Sequence, residues 1–233
     1  MLAFTFKNLK WLMVLVVLPV WAMDISVDNL ASNVGKVPFE AYRLSPQTAS
    51  LIPTPYPPAD KTEPFYVFRA PNSSLNRYAP SGWMGDYEDL FLSYVHTSAS
   101  GLARGSIKIT YLPRGSLGNN WAGIYWQHPA NNWGGHNGGF NLLGMRRLTF
   151  WARGEEGGEV IGVFKVGGIR GIYADSDEGQ IGPIVLSKEW QRYTIDLQGM
   201  DMSHVIGGFA WATGRFDNPG PITFYLNEIR YES

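Results

Sequence analysis

The sequence predicts an all-β sandwich or barrel, on two observations of composition and one of pattern. The 233 residues include 27 Gly, nine Trp, 12 Tyr and 12 Phe, whereas charged residues make up only 17%. That is the usage of strands and tight turns rather than of helices rich in Ala, Glu and Lys. From Phe65 onward, short runs of β-branched and aromatic residues recur with Gly, Pro and Asn between them, the punctuation of an antiparallel fold. No segment keeps an apolar stripe of helical period, and no internal repeat is evident.

Residues 1–22 read as an export signal. Lys7 and Lys10 precede the apolar run from Trp11 to Val20, and Val20 and Ala22 are the small residues before a cut after Ala22. The run is too short for a membrane span, with an uncleaved N-terminal anchor as the alternative. Residues 23–64 form an extension without clear periodicity that ends in Pro53, Pro55, Pro57, Pro58 and Pro64, a spacing that favours extended, linker-like chain. The domain proper is expected over residues 65–233. Its predicted strands are Phe65–Arg69, Leu90–Val95, Ser106–Leu112, Trp121–Gln127, Arg147–Arg153, Glu159–Val166, Gln191–Leu197, Val205–Thr213 and Pro221–Tyr231, with a single turn at Ser73–Tyr78.

Alternation assigns faces within these strands. Leu148, Phe150 and Ala152 oppose Thr149, Trp151 and Arg153, so Trp151 is a large ring among outward residues. Tyr193, Ile195 and Leu197 oppose Arg192, Thr194 and Asp196. In Trp121–Gln127, Ala122, Ile124 and Trp126 share one face, and Trp121, Gly123, Tyr125 and Gln127 the other. Both faces of the sheets therefore carry aromatic rings.

Charge and cysteine content narrow the setting. The chain has no Cys and a formal charge of −1, and loss of the two leader lysines leaves 17 basic residues against 20 acidic ones, a net −3. Nucleic acid and anionic membrane surfaces both need a clustered positive field, so neither is an expected partner, and no membrane insertion is expected after signal cleavage. An exported, cysteine-free chain must draw its stability from core packing; the setting is periplasmic or secreted, and bacterial in style.

The densest chemical constellation is Tyr125-Trp126-Gln127-His128 leading into Asn131, Asn132, Trp133, Gly134, Gly135, His136 and Asn137. A sugar needs a flat ring against its C–H face and planar amides or charges for its hydroxyls, and this stretch offers both with glycines that permit close approach. An Asn/Gly turn pinned by a buried Trp is the structural alternative. Trp151, Arg153 and Lys165 extend the candidate platform.

Acidic groups at Asp86, Glu88 and Asp89, at Asp175, Asp177 and Glu178, and at Asn227-Glu228 provide hard oxygen ligands of the kind calcium takes. Zinc is not expected, because the histidines (His96, His128, His136, His204) form no short ligand pair and no thiolate exists. No nucleophile elbow occurs. Glu155, Glu156 and Glu159 sit in a Gly-rich turn, where acids are normally solvated, rather than as the two carboxylates of a hydrolytic cleft.

Taken together, Gly82-Trp83-Met84-Gly85-Asp86, Trp121–Gln127, Leu148-Thr149-Phe150-Trp151-Ala152-Arg153-Gly154, Glu189-Trp190-Gln191-Arg192-Tyr193 and Thr223–Tyr231 resemble the galactose-binding-like jelly rolls of bacterial carbohydrate-binding modules. The resemblance covers roughly residues 65–233 and implies a jelly-roll β-sandwich. It further implies a structural calcium between Asp86, Glu88 or Asp89 and Asn227 or Glu228. Relatives carry an aspartate pair where this chain has Asn227-Glu228, which lowers the ligand charge. It also implies glycan binding on a concave sheet face, matched by Tyr125, Gln127, Trp151 and Arg153, or on end loops, matched by Trp133 and its asparagines. Jelly-roll lyases carry a Gln-x-His strand and jelly-roll glucanases a Glu-x-Asp-x-x-Glu strand, and neither is present.

The expected function is non-catalytic binding of a poly- or oligosaccharide. Tyr125, Trp133 and Trp151 would stack, Gln127, Asn131, Asn132, Arg153 and Lys165 would orient, and single-site affinity would be of order 10–1,000 µM. A structural or protein-binding scaffold of the cell envelope is the alternative, with a lyase or hydrolase as the third reading.

Overall fold

The computed structural model describes residues 64–96, 102 and 105–233. The expected export signal and all of the extension before Pro64 lie outside the described residues. The elements run β1 (Phe65–Phe68), β2 (Ala79–Gly85), β3 (Leu90–Val95), β4 (Ser106–Tyr111), β5 (Trp121–Gln127), β6 (Arg147–Gly154), β7 (Val160–Ile161), β8 (Val163–Gly167), β9 (Glu178–Ile181), β10 (Ile184–Val185), β11 (Gln191–Asp196), β12 (Gly207–Gly214) and β13 (Ile222–Glu232). A one-turn 3-10 segment at Tyr87–Asp89 is the only helical piece among the described residues. Ser73 accepts from the Asn76 N–H, closing the expected single turn.

Every strand pairing is antiparallel. One sheet runs β11-β6-β13-β4-β3, with β1 also on β13, and the other β2-β5-β12-β8-β9; β7 and β10 form a separate two-stranded ladder. The chain crosses repeatedly from sheet to sheet: β5 to β6, β9 to β11, β11 to β12 and β12 to β13. That weave is a jelly-roll β-sandwich.

The inward faces follow the alternation. Leu148, Phe150, Ala152, Ile107, Ile109, Phe224 and Leu226 of the first sheet meet Ala122, Ile124, Trp126, Phe164, Phe209 and Trp211 of the second, all of them fully buried. Rings lock the layers together: Phe150 lies 4.6 Å from Phe164 and 5.1 Å from Phe209, and Trp211 lies 4.9 Å from Phe224. Each such side chain contributes roughly 1.5–3 kcal/mol on burial, which is how a domain without disulfides is held.

The structure corrects several expectations. The strand expected over Glu159–Val166 is broken at Gly162 into β7 and β8. Glu159 is not solvated: it is buried, and one carboxylate oxygen accepts from the Glu156 N–H at 2.8 Å. Val205 precedes β12 and bridges only to Phe140. Strands β2, β9 and β10 were not predicted. In β2, Pro80 is tolerable because the strand is a sheet edge. Gly82 is required there, since a Cβ would stand 2.7 Å from that of Tyr125.

Candidate functional site

Because the inner faces meet in one core, the two outer faces point to opposite sides of the sandwich. The predicted ligand residues divide between them. Tyr125, Gln127 and Lys165, with the loop bearing Asn131, Asn132 and Trp133, belong to the β2-β5-β12-β8-β9 sheet; Trp151 and Arg153 are on β6 of the other. They cannot form one platform.

On the outer face of the β6 sheet the rings of Tyr225 and Trp190 are engaged by cations, while Trp151 is half-buried and Phe91 on edge strand β3 is exposed. The Arg153 guanidinium lies 3.9 Å over the Tyr225 ring and 5.6 Å from that of Trp190, and Lys108 lies 5.8 Å over Tyr225 from the other side. Tyr225 donates its hydroxyl to Glu155 at 2.6 Å. Farther along, Arg147, Arg192 and Arg230 converge on the Glu232 carboxylate at 2.6–2.8 Å. Burial raises the Glu232 pKa, but the hydrogen bonds from Arg147 and Arg230 and the charges of Arg192 and Arg230 outweigh it and bring it to about 2. Cations stacked on their own neighbours leave little flat apolar surface for a sugar around Tyr225 and Trp190.

The outer face of the β5 sheet is built differently. Its register aligns Gly82, Tyr125, Ala210, Lys165 and Gln180 in one row across five strands, and Met84, Gly123, Ala212 and Val163 in the next. Trp121 and Gly214 follow in the same register. The middle of the sheet therefore carries a floor of Gly123, Ala210 and Ala212, with larger side chains around it: Met84 on one side, Lys165 and Gln180 on the other, and Trp121 and Tyr125 four residues apart on β5. Those two rings are separated by ~13 Å along the strand. Small residues between larger side chains shape a shallow trough that is open at half-buried Ala212, whereas Gly123 and Ala210 are themselves buried, Ala210 in a cluster with Tyr125, Ile169 and Ile206. Glycine is obligatory at 123, because a Cβ would lie 2.4 Å from the Trp211 carbonyl oxygen.

The loop after β5 closes one end, and Asn132 builds it. The buried Asn132 side chain accepts from the N–H groups of Gly134 and His136 and donates to the His136 carbonyl at 2.9 Å. The Gln127 amide donates to the Asn132 carbonyl at 3.0 Å and accepts from the Ser81 hydroxyl at 2.9 Å. Gln127 and Asn132 are thus inside the protein and shape the loop; they do not face a ligand. Tyr125 is also mostly covered: it donates its hydroxyl to the Gly167 carbonyl at 3.0 Å and meets Trp133 edge-on at 5.8 Å. Burial, with the charges of Asp175 and Glu178, pushes its pKa far above the usual tyrosine value. Its part is to support Trp133, whose side chain is 42% exposed at the mouth of the trough. Asn131 is exposed in the left-handed region at φ 62° and donates its N–H to Ser81. Lys165 pairs with Glu178 at 2.7 Å along the β8–β9 wall.

Sequence reasoning passed over Trp121, Met84, Gln180, Ala210 and Ala212. Alternation had placed Trp121 and Gly123 on the Tyr125 face. The missed signal is the run of small residues at outward positions of two central strands, where a solvated sheet would carry Thr, Lys or Glu.

The five residues expected to hold calcium do not converge. Asp86 is buried, and its two oxygens accept from the N–H groups of Leu117 (2.9 Å), Asn119 (2.9 Å) and Asn120 (2.6 Å) and from the Asn119 side chain. Asp89 accepts from Gly115 and Ser116 in the same loop, and Glu88 points to solvent. Asp89 stands at the Tyr111 end of β4, whereas Asn227 donates to the Ser106 hydroxyl at the other end, ~17 Å away for six strand residues. Glu228, beside Asn227, faces Arg230 at 3.5 Å. The donor set therefore does not fit one ion, and among the described residues no group of three or more His, Asp or Glu is placed to hold a metal.

No family model matches the chain, and no curated protein matches it. Among solved structures, the family 30 carbohydrate-binding module of a cellulosomal cellulase from Clostridium thermocellum is 17% identical over 73% of this chain and 98% of its own, with a TM-score of 0.48. The family 11 module from the same organism, in complex with a β-1,3-1,4-mixed-linked tetrasaccharide, is 15% identical over 65% of this chain and 88% of its own, with a TM-score of 0.42. A xylan-binding domain from Paenibacillus barcinonensis is 9% identical over 75% of this chain and 95% of its own, with a TM-score of 0.40. These carbohydrate-binding modules are what the chain is similar to.

Proposed function

We propose that this protein is a non-catalytic glycan-binding sandwich whose ligand lies in the trough on the outer face of the β2-β5-β12-β8-β9 sheet. The observation that carries this reading is the row of small residues Gly123, Ala210 and Ala212 on that face, open at half-buried Ala212, with half-buried Trp121 and exposed Trp133 toward its two ends and Lys165 and Gln180 along one side. A sugar chain on that floor can stack on Trp133 and Trp121 and take hydrogen bonds from Lys165 and Gln180. Of the two carboxylates whose charges reach Tyr125, Glu178 pairs with Lys165 at 2.7 Å and Asp175 accepts from the Ile169, Ile206 and Gly207 N–H groups, which speaks against a pair free for glycoside hydrolysis. Export rests on residues 1–22 alone, and a periplasmic or secreted setting goes with it. No helix among the described residues is long and apolar enough to cross a membrane.

The test is binding of the chain to a broad glycan array, with and without a calcium chelator. Retention on one glycan class, insensitive to chelation, supports the proposal. A blank array from folded protein turns the reading toward a protein-binding scaffold, for which edge strand β3 with exposed Phe91 and Tyr94 is the candidate surface.

A further inference from the structure

Two loops meet at the Trp133 end of the trough, residues 128–139 and residues 168–177, and one side chain touches both. His204 places Nδ1 2.7 Å from the Ala174 carbonyl oxygen and Nε2 2.9 Å from the Gly138 carbonyl oxygen. Backbone carbonyls only accept. A neutral imidazole has a single N–H, so one of these contacts would set a bare nitrogen lone pair against an oxygen, whereas the imidazolium donates to both.

The surrounding charge agrees with a cation there. Burial raises the pKa of Asp175, while bonds from the Ile169, Ile206 and Gly207 N–H groups and the charge of His204 oppose that rise. The other titratable groups on the packed segments are Arg170, Tyr173 and Asp177 on the 168–177 loop, Asp177 accepting from the Asp201 N–H, Asp201 itself, and His128 and His136 on the loop being held. His128 works in the opposite sense. Burial lowers its pKa, and its Nδ1 accepts from the Gly139 N–H at 3.2 Å, a bond that needs the neutral ring.

We propose that His204 is an imidazolium rivet that fastens the Trp133 loop to the loop of residues 168–177 and so holds the Trp133 ring for glycan binding. The proposal rests on the trough reading and adds a positioning residue to it. Without the two ring bonds, Gly138 and Ala174 are no longer tied together. The bond from the Tyr173 N–H to the Gly134 carbonyl remains, but the Trp133 ring is held in place by fewer constraints, and ordering it becomes part of the cost of binding.

The experiment has two arms, both on the full chain. Long-range proton–nitrogen correlation spectra read the ring state of each histidine at about pH 6. His204 should show two protonated nitrogens and His128 a neutral ring; a neutral His204 at that pH overturns the proposal. In the second arm, the array-selected glycan is titrated at about pH 6 against wild type and His204→Gln. The variant should bind about three- to tenfold more weakly, the effect of one ordinary hydrogen bond. An unchanged affinity in His204→Gln overturns the rivet. If no glycan binds either protein, the trough reading fails, and the spectra still decide the state of His204.

Discussion

Asp86→Ala should destabilise the protein by more than most point substitutions, and the structure says by how much. The carboxylate is fully buried and takes three backbone N–H groups and one side-chain amide from a single loop, residues 117–120. Removing it strands three backbone donors. A hydrogen bond to a charged group is worth ~1.5–3 kcal/mol, and an unsatisfied buried donor costs ~1–3 kcal/mol. Because the loop can open to admit water, the sum is cut to ~3–5 kcal/mol. Asp86→Asn keeps one acceptor oxygen but turns an NH2 toward another N–H, so it should lie between wild type and alanine. Urea unfolding followed by intrinsic fluorescence gives these differences directly. The chelator arm separates the two explanations for a buried acid in this position: with the carboxylate occupied by amides, the wild-type midpoint should be the same with and without chelator. An Asp86→Ala cost below ~1 kcal/mol, or a wild type that chelation destabilises as much as the substitution does, would refute the amide-anchor account.

The remaining predictions concern the two faces. Trp133→Ala should weaken glycan binding about tenfold through lost stacking, whereas Trp151→Ala on the opposite face should leave affinity within about twofold; isothermal titration of both variants checks the pair. Ala212→Glu, at a half-buried outward position on the trough floor, should abolish binding while shifting unfolding by no more than ~1 kcal/mol. Glu232 has a depressed pKa, so its contribution to stability is present above the unfolded carboxylate pKa and is lost as pH falls toward about 2. Discounted for solvent screening, that contribution is ~1 kcal/mol. Glu232→Gln should therefore be destabilised at neutral pH and indistinguishable from wild type in urea titrations below about pH 2.

What was legible in the sequence was whatever a single window contains. Period-two alternation put Leu148, Phe150 and Ala152 inside, and Tyr193, Ile195 and Leu197 toward the core, because a strand's own pleat decides its faces. The same alternation could place Trp151 outward and set Tyr125 on the face opposite Trp126, but not say which face of that strand is outside or that the two rings lie on different sheets. Strand order comes from hydrogen bonds between residues far apart in the chain, as where β13 pairs with both β6 and β4. β2 was invisible because Pro80 and Gly82 have poor strand propensity, and only their partners, a sheet edge and the Tyr125 side chain, make them fit. Asp86 and Asp89 offered the right oxygens for calcium, but oxygen type does not name the partner, and theirs are amides of residues 115–120. Gln127 and Asn132 had the right chemistry for sugar hydroxyls and spend it on holding the loop that presents Trp133.

The central claim, that a glycan lies in the Gly123–Ala210–Ala212 trough, is tested most directly by mapping amide chemical-shift changes as the array-selected oligosaccharide is added to the isotopically labelled chain. The account predicts perturbations concentrated on Gly123, Ala210, Ala212, Lys165 and Trp133, with Trp151, Arg153 and Tyr225 unmoved. Perturbations centred on the β6 face, or spread over the two faces alike, would contradict it.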